Sequence, residues 1–132
     1  MKKNLLIILT ILPMMAMADD SGTCGDNLTW TYTEKTQTLT IQGTGDMNDY
    51  GNKYVAPWKK YRSNIKSIFI KEGVTSIGNN AFFSCNSMEE LSIENTVTSI
   101  RDYAFAYCSA LTSISIPDNV TSLGSYCFQN CI

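Results

Sequence analysis

A mainly β solenoid, built of 23-residue coils with short helical turns and begun by an N-terminal β-hairpin cap, is the fold this sequence predicts. The first observation is that Val74-Thr75-Ser76-Ile77, Val97-Thr98-Ser99-Ile100 and Val120-Thr121-Ser122-Leu123 recur at a spacing of 23. The second is that the same spacing carries Ala81-Phe82, Ala104-Phe105 and Cys127-Phe128, and then Cys85, Cys108 and Cys131. Whole units repeat, so each buries its apolar face against the next. The third is the different pattern before them: Leu28, Trp30 and Tyr32 alternate with threonine, and Leu39 and Ile41 alternate again after a polar turn. Alternation over two short runs joined by polar residues predicts a β-hairpin, which closes the first coil.

In chain order, residues 1–18 read as a signal peptide: Lys2 and Lys3, an apolar run from Leu5 to Leu12, and Ala16-Met17-Ala18 as the cleavage site. The run is broken by Pro13 and is too short to span a bilayer. The mature chain begins at Asp19, secreted or at the cell surface, with no membrane insertion after cleavage. Residues 19–64 form the cap and a connection, in which Gly43, Gly45 and Gly51 mark turns and Pro57-Trp58 leads into a short helical turn to Arg62. Trp58 is expected to plug the seam between cap and first coil. Residues 65–132 form the solenoid, with its last repeat incomplete.

Within each coil the strand is set by Ile65, Ile68 and Ile70, by Met88, Leu91 and Ile93, and by Leu111, Ile114 and Ile116. Alternate side chains of such a strand enter the coil. Val74 and Ile77 with their equivalents supply a second inward pair, and the Ala-Phe couple a third wall on a helical turn. Phe82, Phe105 and Phe128 should therefore stack as an internal ladder.

The unit from Leu111 to Asn119 followed by Val120-Thr121-Ser122, with the Ala-Phe and Cys positions before it, resembles the BspA-type leucine-rich repeat of bacterial and some protist surface proteins. Gly-Thr-Gly, Ala-Pro-Trp and Tyr-Arg-Ser-Asn-Ile upstream resemble the start of the same proteins. The resemblance implies a leucine-rich-repeat solenoid exposed outside the cell, some of whose relatives take part in adhesion. Two departures are Lys71 and Glu94, where the repeat favours proline, and the stop at Cys131-Ile132. That stop implies a truncated product, a docking end through which the chain self-associates, or a final turn folded over as a lid.

Composition limits the chemistry. Losing Lys2 and Lys3 moves the formal net charge from −2 to −4, and no basic cluster remains, so nucleic acid is not an expected partner. The five cysteines are an odd number, and three of them keep the repeat, turned the same way into the core. Reduced buried thiols are expected, with a bridge between neighbouring layers as the alternative. No metal or cofactor is expected: there is no histidine, and the repeating cysteines would lie in a line. Asp46, Asn48 and Asp49 lack the rest of a calcium loop and read as turn residues.

The outward strand positions form rows: Lys66 over Glu89 and Thr112, Ser67 over Glu90 and Ser113, Phe69 over Ser92 and Ser115, and Lys71 over Glu94 and Pro117. The candidate ligand-facing surface is therefore Lys66, Phe69, Lys71, Glu89, Glu90, Glu94, Thr112, Ser113 and Ser115, with Phe69 as an exposed apolar contact; the alternative is an ordinary solvated face. Ion pairs are expected between Lys66 and Glu89 and between Lys71 and Glu94. Glu89 and Glu90 are adjacent on a strand and splay apart, so they do not flank one bond as a glycosidase pair does. No catalytic residue is assigned. The sequence thus reads as an exported, non-enzymatic binding or adhesion module for an extracellular protein or glycan; the alternative is a truncated or vestigial repeat protein with no ligand of its own.

Overall fold

The structure, a computed structural model, describes residues 19–131. The predicted signal peptide, residues 1–18, and Ile132 lie outside the described residues. Strand dominates, and the one helix among the described residues is a single 3-10 turn at Lys59–Tyr61, where the Pro57-Trp58 signal pointed.

Among the described residues, nine strands make two sheets. The first sheet contains β1 (Asp20–Gly25), β2 (Leu28–Thr33), β3 (Thr38–Gly43), β5 (Ser67–Ile70) and β7 (Glu90–Ile93), in the order β1-β2-β3-β5-β7. The second contains β4 (Gly45–Asp46), β6 (Val74–Ile77), β8 (Ser99–Ile100) and β9 (Ser122–Leu123), in that order. The predicted hairpin is the antiparallel β2–β3 pair, with Trp30 opposite Ile41 and Tyr32 opposite Leu39. β1 extends it to three strands; its Gly22 and Gly25 have little strand preference, and pairing with β2 holds them extended.

β3 is the strand at which the direction of pairing changes. One edge runs antiparallel to β2, and the other runs parallel to β5, with Leu39 beside Ile68 and Ile41 beside Ile70. From there the repeat spacing sets the register: Ser67 pairs with Glu90, Ile68 with Leu91 and Ile70 with Ile93, each 23 residues on. β6, β8 and β9 keep the same step, with Ile77 beside Ile100 beside Leu123. Gly73 turns the chain from β5 into β6 at φ +107°, and a Cβ there would lie 2.1 Å from the Gly43 carbonyl oxygen, so only glycine fits.

The core lies between the sheets and the Ala-Phe wall. Phe82 and Phe105 stack at 5.2 Å between ring centroids, Phe105 and Phe128 at 5.5 Å, and Trp58 continues the column onto Phe82 at 5.2 Å. The indole N–H of Trp58, fully buried, donates to the Ala81 carbonyl at 2.8 Å. It thus joins the N-terminal strands to the first repeat through both its ring and its polar edge.

Three expectations need correction. The Ala-Phe wall is made of turns, not helical turns. Alternate residues close local turns (Ala81 N–H to Gly78, Phe83 N–H to Asn80), while those between donate to the next layer: Asn80 to Asp102, Phe82 to Ala104 and Ser84 to Ala106. A helix would have consumed those donors within the segment. The wall is shaped by residues with positive φ at 80, 84, 103, 107, 126 and 130, all between 57° and 63°. Second, Leu111 to Ile116 forms no strand; Leu111 is buried, but Ile114 and Ile116 are only half-buried and the ladder stops at β7. Third, the inward pair fails in the last repeat, where Leu123 is 56% exposed because no further layer covers it among the described residues.

All five cysteines are free thiols. Burial pushes Cys24 and Cys85 up to about 12, so both are neutral at physiological pH. Cys108 shifts upward as well, through hydrogen bonding with the Cys131 thiol and through burial. Its Sγ donates to the Phe82 carbonyl at 3.3 Å, and Cys131 repeats the contact one layer on, to Phe105 at 3.0 Å.

Candidate functional site

β5 and β7 carry most of the surface read from the sequence. Parallel registry sets Ser67 beside Glu90 and Phe69 beside Ser92. Lys66, just before β5, reaches Glu89 with Nζ 3.5 Å from Oε1, and the Ser67 hydroxyl donates to Glu90 Oε1 at 2.9 Å. Both lysines and all three glutamates are exposed. The Lys66–Glu89 pair is solvated on both sides, so it contributes about 0–1 kcal/mol and works mainly as a register pin.

The rest of the surface departs from expectation. Lys71 and Glu94, one residue past the ends of β5 and β7, form no ion pair, although the Glu94 N–H still bonds to the Ile70 carbonyl. Phe69 is half-buried, not fully exposed, because its ring rises between Thr40 on β3 and Ser92 on β7. Thr112, Ser113 and Ser115 are exposed but sit on the unpaired segment after β7. Ser115 and Pro117 face Leu91, Ser92, Ile93 and Asn95 across a cleft of about 220 Å³, so the third row lies apart from the first two.

A second set of polar residues stitches the layers together and was not read from the sequence. The Asp49 carboxylate accepts the Asn79 N–H at 2.9 Å, the Asn79 side chain accepts the Asp102 N–H at 2.9 Å, and Asp102 accepts the Ser125 N–H at 2.7 Å. Positions 79, 102 and 125 keep the repeat spacing, which was the available signal. Arg101 adds a clip back to the N-terminal strands, with Nη1 2.7 Å from Asp49 and Nη2 3.7 Å from Asp46. Asp46 and Asp49 are therefore tied into the layers by Arg101, and Asp46, read as a turn residue, lies in strand β4.

The hydroxyl of Thr75, 2.6 Å away, and the charge of Arg101 hold the Asp46 carboxyl below its usual range. Tyr61 and Lys60 do the same for Asp20, whose Oδ2 accepts the Tyr61 hydroxyl at 2.8 Å. A carboxyl lowered in the folded state contributes stability above its unfolded pKa and loses it as pH falls through the lowered value. Thermal melts should therefore show a midpoint that is flat near neutrality and declines once pH drops below the ordinary aspartate value of 3.8. Asp46→Asn should flatten that decline; an unchanged acid limb would show that Asp46 does not contribute.

The strand face is not where the exposed apolar side chains gather. Tyr54, Val55, Tyr107 and Tyr126 are 46%, 47%, 41% and 59% exposed and belong to the Ala-Phe wall or the loop that abuts it. Tyr103, Tyr107 and Tyr126 occupy left-handed backbone positions, which suit asparagine or glycine and cost a tyrosine roughly 1 kcal/mol or more. Tyrosine at 103 and 126 is visible as a repeat in the sequence, but the direction in which a left-handed residue points its ring is not.

A family model for the BspA-type leucine-rich repeat region matches residues 60–132, in six copies. Among solved structures, the chain is similar to a leucine-rich repeat protein from Eubacterium ventriosum ATCC 27560, with 30% identity over 85% of this chain and a TM-score of 0.68. It also shares its fold with a leucine-rich repeat protein from Bacteroides ovatus ATCC 8483, at 21% identity over 81% of this chain and a TM-score of 0.55. The matched regions span 36% and 32% of those two chains. No curated protein matches the sequence. With strands and turns in register at the repeat spacing and more than half of its length matched, the chain belongs to the BspA-type leucine-rich repeat family.

Proposed function

We propose that this chain is an exported, non-enzymatic binding module. It is a solenoid of 23-residue coils, closed on its N-terminal side by the antiparallel strands, and its outer strand face meets an extracellular protein or glycan. Residues 1–18 direct it out of the cell, where it is secreted or held at the surface.

The observation that carries the reading is the alignment, along β5, β7 and the residues just before them, of Lys66 with Glu89, Ser67 with Glu90 and half-buried Phe69 with Ser92. Rigid strands hold such side chains at fixed spacing, which is what a binding surface requires. Glu89 and Glu90 are engaged by Lys66 and Ser67, an arrangement that suits recognition better than acid/base catalysis. Membership of a repeat family that typically serves in binding supports the same role.

The test is a binding screen of the chain against immobilised extracellular-matrix proteins and glycans, repeated with Phe69→Ala and Glu90→Ala. At least one ligand should bind, and each substitution should weaken it tenfold or more with the circular dichroism spectrum unchanged. Full binding by both variants would contradict a role for this face.

A further inference from the structure

We propose that the tyrosine band on the Ala-Phe wall is a second binding site, for a neutral, extended β-linked polysaccharide. The band is continuous: Tyr54 meets Phe83 edge-on at 5.7 Å, Phe83 meets Tyr107 at 5.4 Å and Tyr103 at 6.4 Å, and Tyr103 stacks on Tyr126 at 5.2 Å. Phe83, 6% exposed, is its floor, while Tyr54, Tyr107 and Tyr126 stand out of it. Apolar groups gathered in one place on an otherwise polar surface mark an interaction site.

Three features select the ligand. The first is charge: Ser84 follows Phe83 in the chain and the Tyr107 N–H bonds to the Gln129 carbonyl, which brings neutral hydrogen-bonding residues to the band. The neighbouring carboxylate, Asp102, is engaged with the Ser125 N–H, and two cations are already seated on rings, Lys53 over Phe83 and Arg62 over Tyr54 at one end. Aromatic rings interleaved with amides and hydroxyls match a sugar chain, whose C–H faces stack on rings while its hydroxyls bond to amides. The second is size. Tyr54, Tyr107 and Tyr126, each about half exposed, offer roughly 300 Å² if an aromatic carries about 200 Å². That is well short of the ~800 Å² per partner of a stable protein interface, but it suits a narrow chain. The third is pitch: layers follow one another at the strand spacing of about 5 Å, close to the length of one pyranose in an extended β-linked chain.

Backbone geometry supplies independent support. Half of the six left-handed positions on this wall hold tyrosine, while Asn80, Ser84 and Asn130 fill the others with residues better suited to them. Strained positions kept for large exposed rings point to a use for those rings. This wall is separate from the strand face, so either site can fail without the other.

The experiment is isothermal titration of the chain with cellohexaose and chitohexaose, with maltohexaose as the α-linked comparison. The protein is tested alongside a Tyr107→Asn, Tyr126→Asn double variant and, separately, Glu90→Ala. Asparagine accepts the left-handed backbone, so the double variant should fold with an unchanged or higher thermal midpoint. At least one β-linked hexasaccharide should bind and shift the ring resonances of Tyr107 and Tyr126 in the unmodified protein. The double variant should lose tenfold or more in affinity while Glu90→Ala loses none. The proposal is overturned by no binding of either β-linked sugar, by equal binding of maltohexaose, by full affinity in the double variant, or by a matrix protein binding through these tyrosines in place of sugar.

Discussion

Trp58→Ala should destabilise the protein by about 3–5 kcal/mol through the lost side chain alone, the usual range for a buried large aromatic. Trp58 is 1% exposed, stacks on Phe82, and meets Trp30 and Tyr50 edge-on at 5.9 and 5.8 Å. Its removal leaves a cavity bounded by three rings. It also strips the Ala81 carbonyl of its 2.8 Å partner, and an unpaired buried acceptor costs roughly 1–3 kcal/mol more. Because a domain of this size is stable by only about 5–15 kcal/mol, the variant should be largely unfolded in moderate urea, where the parent remains folded. Trp58→Phe keeps the stack and loses the hydrogen bond, so its loss should be much smaller. Urea titration followed by circular dichroism checks both. Similar midpoints for the parent and Trp58→Ala would mean that the N-terminal strands and the repeats do not depend on this contact.

Phe105→Ala is the second large effect, again about 3–5 kcal/mol. Phe105 is the middle ring of the column, fully buried between Phe82 and Phe128, so its loss opens a gap between layers on both sides. Phe128→Ala should cost distinctly less, because that ring is only half-buried. The ordering is the informative part: equal losses at the two positions would mean that the rings are not stacked in successive layers. A loss below about 1 kcal/mol at Phe105 would place it outside the core.

The second effect comes from a residue whose spacing could be read before any coordinates, and the first from a tryptophan placed in the connection just before the repeats. Ile68 and Leu91, Ile77 and Ile100, and Phe82 and Phe105 touch or pair because each lies one repeat from the other. Periodicity is legible because every coil must bury the same faces. What does not repeat was hidden. β1 has the composition of a turn and becomes a strand through pairing with β2. Arg101 reaches Asp49 across 52 residues, a distance no local pattern encodes. The first layer is longer than the others, with Asp46 paired to Ser76 at a separation of 30, and the surplus emerges as the loop that carries Tyr54.

The surface was less legible than the core. Lys66 and Glu89 pair as their register implies, one residue before β5 and β7. Lys71 and Glu94 have the same spacing one residue after those strands, yet their side chains form no ion pair, so backbone registry alone does not decide which surface charges meet. The tyrosines at 103, 107 and 126 carry no signal of exposure, because an Ala-Phe segment read as helical would turn some of its rings inward. The left-handed residues Tyr103 and Tyr107 donate their own N–H groups to the next layer, to the Ser125 and Gln129 carbonyls, and the rings of Tyr107 and Tyr126 stand exposed while Tyr103 is half-buried.

Layer-on-layer stacking at the repeat spacing is the claim on which the fold, the strand face and the tyrosine band all depend. Five phenylalanines make the ring protons assignable, so a nuclear Overhauser spectrum of ring-labelled protein tests it most directly. Cross-peaks from Phe105 to both Phe82 and Phe128, with none between Phe82 and Phe128, are the predicted result. Rings of Phe82 and Phe105 without a mutual cross-peak in the folded protein would contradict it.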